Sequence, residues 1–179
     1  MVLLVCAAAC GSVVASSPDA SSPDAGSPDA SASFLIEAES YSTITMPMTY
    51  HWDVKADQMG YSGSGFMQGL PAMGAGCTTG DVQGCAPSIG YPIEVAQPGV
   101  YFFHARVFAS TLSDDSIWYG VDGVPDTSPM FFGDPRLTWH WKTGNSFPLQ
   151  AGPHTLHVWL RDPGARIDVI ALTTSSQPP

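Results

Sequence analysis

The chain has 179 residues, enough for one ordinary domain whose core needs no extra staples. It carries 16 Asp plus Glu against 6 Lys plus Arg, a formal charge of -10, and its basic residues are nowhere clustered. Phosphate recognition needs a basic patch, so nucleic acid and anionic membrane surfaces are excluded as partners. Only 12% of residues are charged, so the surface must be built mainly from Ser, Thr, Gly, Asn and Gln.

The chain opens with MVLLVCAAACGS, a short apolar run followed by small residues and a cysteine. Residues 1–10 resemble the end of a bacterial lipoprotein signal, with AAAC as the lipobox and Cys10 as the lipidated residue. An ordinary secretory signal is the alternative. Both imply export, the first to the outer membrane or cell surface. The run is too short to cross a bilayer as a mature helix, so a membrane would be met only through the lipid. Residues 11–33 follow, with Ser-Pro-Asp-Ala beginning at 17, 22 and 27. Across 16–33, repeated proline, small polar neighbours and nothing apolar to bury make the segment a disordered tether. Its evenly spread Asp19, Asp24 and Asp29 read as solubilising.

From 34 to 174 the pattern is all β, leaving 175–179 as a tail. FLIEAESY, residues 34–41, reads as a strand, and on a strand Glu37 and Glu39, two apart, crowd their carboxylates on one face. Cys6 and Cys10 belong to the signal, which leaves Cys77 and Cys85 in GAGCTTGDVQGCAPS; in an exported chain they are expected to form a disulfide. A reactive or metal-binding pair is the alternative, but no further thiol or nearby histidine completes such a site. In GVYFFHARVFA, Tyr101, Phe103, Ala105 and Val107 alternate with Phe102, His104, Arg106 and Phe108. SIWYGVDG sets Ile117, Tyr119 and Val121 against Ser116, Trp118 and Gly120, and HTLHVWLRD sets Leu156, Val158 and Leu160 against His157, Trp159 and Arg161. Turn signals separate these runs at Pro98-Gly99, Asp122-Gly123, Gly152-Pro153 and Pro163-Gly164. The expected fold is an antiparallel two-sheet β-sandwich, a jelly roll.

Six segments in order, IEAESY, YSGSGFM, PGVYFFHARV, DSIWYGVDG, WHW and AGPHTLHVWLRDPGARIDVIALT, resemble the galactose-binding-like sandwich of carbohydrate-binding modules of families 6 and 35. The resemblance covers nearly the whole of 34–174. It implies a structural calcium held by Glu37, Glu39 and Asp168, with carbonyls of the glycine-rich YSGSGF completing the shell. Elementary chemistry is consistent: calcium takes six to eight hard oxygens, and three carboxylates drawn together repel without a cation. Glu37 and Glu39 lining a solvated edge is the alternative. The resemblance also implies binding of a polysaccharide or oligosaccharide among loops at one edge, where an aromatic side chain stacks on the pyranose.

RLTWHW falls at that edge, which makes Trp139 the first stacking candidate and Trp141 the second, with Tyr61 and Asn145 behind them; one of the two tryptophans is expected to be buried. A second possible site is an outer sheet face carrying His104, Arg106, Trp118, His157 and Trp159, unless loops cover it. For catalysis, Asp114, Asp115, Asp122 and Asp162 are available carboxylates, yet Asp114 and Asp115 sit in a polar turn. No G-x-S-x-G elbow is present, and His154 and His157, three apart on a strand, cannot share one zinc. The expected protein is a monomeric, non-catalytic module; a structural or protein-interaction module on the same fold is the rival reading.

Overall fold

The computed structural model describes residues 33–47, 50–74, 76–77, 81–133 and 137–179. The signal segment with Cys10, and the tether up to residue 32, lie outside the described residues.

Twelve strands are present among the described residues: β1 (Ser33–Glu37), β2 (Thr43–Thr45), β3 (His51–Lys55), β4 (Phe66–Leu70), β5 (Ser88–Val95), β6 (Gly99–Phe108), β7 (Ser116–Val121), β8 (Val124–Pro125), β9 (Met130–Phe131), β10 (His140–Leu149), β11 (Gly152–Leu160) and β12 (Arg166–Thr173). One sheet runs β10-β6-β12-β4-β3, with β1 also on β12; the other runs β2-β5-β11-β7-β8, with β9 on β7. Every pairing is antiparallel. The expected sandwich is therefore present, and the alternation explains it. Tyr101, Phe103, Ala105 and Val107 of the first sheet meet Ile117, Tyr119, Leu156 and Val158 of the second in one core. Phe103 stacks on Tyr119 at 4.4 Å between ring centres. Asp122 and Gly123 both have positive φ, 53° and 77°, and close the β7–β8 hairpin between Val121 and Val124. A turn of that hand matches the twist of its strands.

Three expectations need correction. The first strand stops at Glu37, and Ala38–Ser40 turn as a 3₁₀ helix, so Glu39 is not on the strand. The outer-face site does not exist as one surface. His104 and Arg106 lie on β6 in the first sheet, whereas Trp118, His157 and Trp159 lie on β7 and β11 in the second. Alternation tells inside from outside but not which sheet a strand joins, and the two outer faces point in opposite directions. Finally, neither Trp139 nor Trp141 is buried; both are half-exposed.

The second sheet's outer face is covered. Cys77 and Cys85 form the expected disulfide, and the loop they close carries a one-turn helix, α1 (Val82–Cys85). Val82, Ala86 and the cysteines pack on Trp118 and Trp159, and the Trp118 indole N–H donates to the Cys77 carbonyl at 2.9 Å. Closing so short a loop covalently contributes about 2 to 3 kcal/mol by chain entropy.

His154 ties two hairpin turns together. Its Nδ1–H donates to Asp122 at 2.7 Å, and its Nε2 faces the Gln150 carbonyl at 3.0 Å. Only an imidazolium carries both protons, so the Asp122 bond, then the Gln150 bond, raise the His154 pKa above the usual 6.5. Burial opposes the charge on Asp122, but the bond from His154 prevails and its pKa falls below 3.8. The histidine's contribution is full below its unfolded pKa and is lost as pH rises through the raised folded one. The aspartate's is lost as pH falls through its lowered value. The melting-temperature gap between wild type and His154→Asn is therefore expected to be wide at about pH 5 and nearly closed at about pH 8.5. An equal gap at both would contradict the pairing.

Candidate functional site

β12 pairs through its first residues with β4 (Ile167 with Met67) and through its later ones with β1 (Val169 with Glu37). The two short strands therefore follow one another along β12, and the β12–β6 register slips between Ile167 and Val169, where they meet. Asp168 is the bulged residue. A bulge re-aims one side chain out of the ladder, which is how a carboxylate stands between two apolar neighbours and leaves the core. Asp168 is fully buried. It pairs with the Arg106 guanidinium and accepts from the Ser62 N–H at 2.9 Å. A charge buried that deeply would cost about 3 to 5 kcal/mol if its partner were removed.

The glycine-rich segment meets the two glutamates at the same place. Ser62 Oγ donates to Glu37 Oε2 at 2.8 Å, and the Ser64 N–H donates to Glu39 Oε1 at 2.7 Å. Gly63 has φ +63°, and a Cβ there would fall 2.4 Å from Glu39 Oε1 and 3.1 Å from Glu37 Oε2. Only glycine allows both carboxylates to close on this turn. Glu37 and Glu39 thus converge although one leaves the end of a strand and the other a 3₁₀ turn. Glu39 Oε2 is buried without a hydrogen-bond partner among the described residues. Tyr91 donates to the Ala38 carbonyl at 2.7 Å, and burial, then the Glu39 charge, hold its hydroxyl well above the usual range.

As a cation site this arrangement fits in part. Three carboxylates face one guanidinium, leaving two negative charges, and an orphaned buried carboxylate oxygen calls for a hard partner. Against that, Asp168 already holds Arg106, and no three His, Cys, Asp or Glu side chains among the described residues form a metal-sized cluster. Backbone oxygens of the 60–64 turn would have to supply the remainder.

Trp139 lies on the outer face of the first sheet. Its ring packs edge-on to Phe66 at 5.2 Å and tilted to Phe108 at 5.4 Å, and its indole N–H donates to the Met59 carbonyl at 3.1 Å. Tyr61 joins through Phe66, at 5.8 Å. Trp141, opposite Arg106 across β10 and β6, shares this face, and its indole makes no hydrogen bond or ring contact among the described residues. Asn145 is not brought here. It lies six residues beyond Trp139 and four beyond Trp141, about 20 and 13 Å at strand spacing; its N–H donates to the Tyr119 hydroxyl and its side chain to Asp126 at 3.0 Å. Arg106, Phe66 and Phe108 complete this region, and sequence reading assigned none of them to it. The alternation that placed Arg106 and Phe108 outward was the only signal.

The carboxylates considered for catalysis have other work. Asp114 accepts from the N–H groups of Ser110 and Thr111 and lies 3.6 Å from Arg166; Asp162 binds Ser116 and Arg161; Asp122 holds His154. Asp115 is buried, and burial, then the neighbouring Asp162, push its carboxyl upward.

No protein-family model matches the sequence, and no curated protein matches it. Solved structures do match. A family 35 carbohydrate-binding module from Clostridium thermocellum aligns with TM-score 0.60 at 16% identity, over 80% of this chain and 99% of that one. A Podospora anserina β-(1,4)-mannanase carrying a family 35 module aligns with TM-score 0.59 at 21% identity, over 82% of this chain but only 29% of the enzyme. A family 6 module of Cellvibrio mixtus lichenase 5A, solved with cellotriose, aligns with TM-score 0.54 at 18% identity, over 79% of this chain and 97% of that one. The fold is thus the β-sandwich of family 35 and family 6 carbohydrate-binding modules.

Proposed function

We propose that this protein binds carbohydrate without catalysis, through the outer-face aromatic site around Trp139 and Trp141. The observation that carries this reading is the pair of half-exposed indoles, two apart at the start of β10 and both outside the sandwich core. Large aromatic surface left in water is costly, and the apolar face of a pyranose covers such a surface well. The shared fold of the neighbours supports the same class. Calcium, held by Glu37 and Glu39 with Asp168 beside them, would supply neutralising charge to the turn that underlies Trp139.

Export as a lipoprotein anchored at Cys10 is part of the proposal. Affinity electrophoresis through xylan, galactan and polyuronate gels is expected to show retardation in at least one. Free migration in all three, together with a blank glycan array, would overturn the reading.

A further inference from the structure

Arg106 touches both halves of the region just described. One arm of its guanidinium binds Asp168, the other donates to the Gly60 carbonyl at 2.9 Å, and its central carbon lies 5.8 Å from the Trp139 ring centre. The indole also packs on Phe66 and Phe108, while the 59–60 backbone holds its edge: Met59 accepts from its N–H, and a Cβ on Gly60, whose φ is +92°, would fall 3.2 Å from its Cδ1. The other end of the same turn is held through Ser62, whose N–H also binds Asp168. Asp168 therefore orients Arg106 and anchors the turn at once, and Arg106 transmits that anchoring to the edge and face of Trp139.

We propose that Arg106 is the positioning residue for the Trp139 indole, so that ligand binding depends on the Asp168–Arg106 pair although neither need touch the sugar. This rests on the carbohydrate-binding reading for its effect on affinity, but not for its effect on the ring. A planar fork can bind a carboxylate, a carbonyl and a ring face together; an ammonium is a single point charge that cannot hold the same three. Arg106→Lys keeps the charge and should lose the positioning.

The test compares wild type, Arg106→Lys and the double variant Arg106→Met/Asp168→Asn, each beside its own Trp139→Phe counterpart. Subtraction isolates Trp139 fluorescence from the other four of the 5 tryptophans. In both variants the Trp139 signal is expected to lose its protection from acrylamide, and retention in the polysaccharide gel that slows wild type most should weaken about tenfold. The double variant removes both charges of the Arg106–Asp168 pair together, and the Trp139 change should persist in it; a role limited to balancing the buried Asp168 charge would instead restore the signal. Unchanged quenching in both variants overturns the proposal. If wild type binds no polysaccharide, the carbohydrate reading fails, while the quenching result still decides the role of Arg106.

Discussion

Replacing Trp139 with alanine is expected to abolish detectable polysaccharide retention while costing about 2 kcal/mol of stability. A fully buried tryptophan would cost about 3 to 5 kcal/mol; Trp139 is half-exposed and lies outside the core cluster, so roughly half applies. Its edge contacts with Phe66 and Phe108 and its bond to the Met59 carbonyl make the cost real rather than negligible. Loss of a stacking surface removes on the order of 1 to 3 kcal/mol of binding, enough to take a weak module out of range. Trp141→Ala should cost less stability, because its indole has no ring or hydrogen-bond partner among the described residues. Melting curves and affinity electrophoresis on the same proteins decide. Retention equal to wild type in Trp139→Ala would remove this residue from the site, and a stability loss above about 4 kcal/mol would assign it to the core.

Chelation is the second large effect. If Glu37 and Glu39 hold calcium, a free concentration about a hundredfold above Kd stabilises the folded state by about 2.7 kcal/mol. For a domain of this size that is a fall of roughly 5 to 10 °C in Tm when EDTA removes the ion. Glu39→Gln should show little or no further fall, since the orphaned oxygen and its charge are gone in that variant. An unchanged Tm after confirmed metal removal would mean that Arg106 alone balances the cluster. The fluorescence of Trp139 offers an independent readout, because the turn bearing the carboxylate contacts continues into Met59 and Gly60.

What the amino-acid sequence determined by itself was set by local physics. Period-two alternation in β6, β7 and β11 sorted core from surface, because successive side chains on a strand must point to opposite faces. Asp122-Gly123 announced its hairpin, because few other pairs accept two positive φ angles. The expectation of export made Cys77 and Cys85, both in one glycine-rich loop, a disulfide pair, and that bond is present. Tertiary structure alone decided everything that depends on which strands become neighbours. Arg106 and Trp118 have the same outward signature in sequence, yet one lies beside Asp168 on an open face and the other lies beneath a disulfide loop on the opposite sheet. The Asp168 bulge has no local signal, since it arises from register slip between β12 and β6. Glu37 and Glu39 meet for a reason different from their spacing: the strand ends between them, and Gly63, 26 residues beyond Glu37, admits both carboxylates to one turn. Pairing energies between distant segments are not encoded at either segment alone, so only the assembled sheets could show that the acidic cluster and the indole share one turn of backbone.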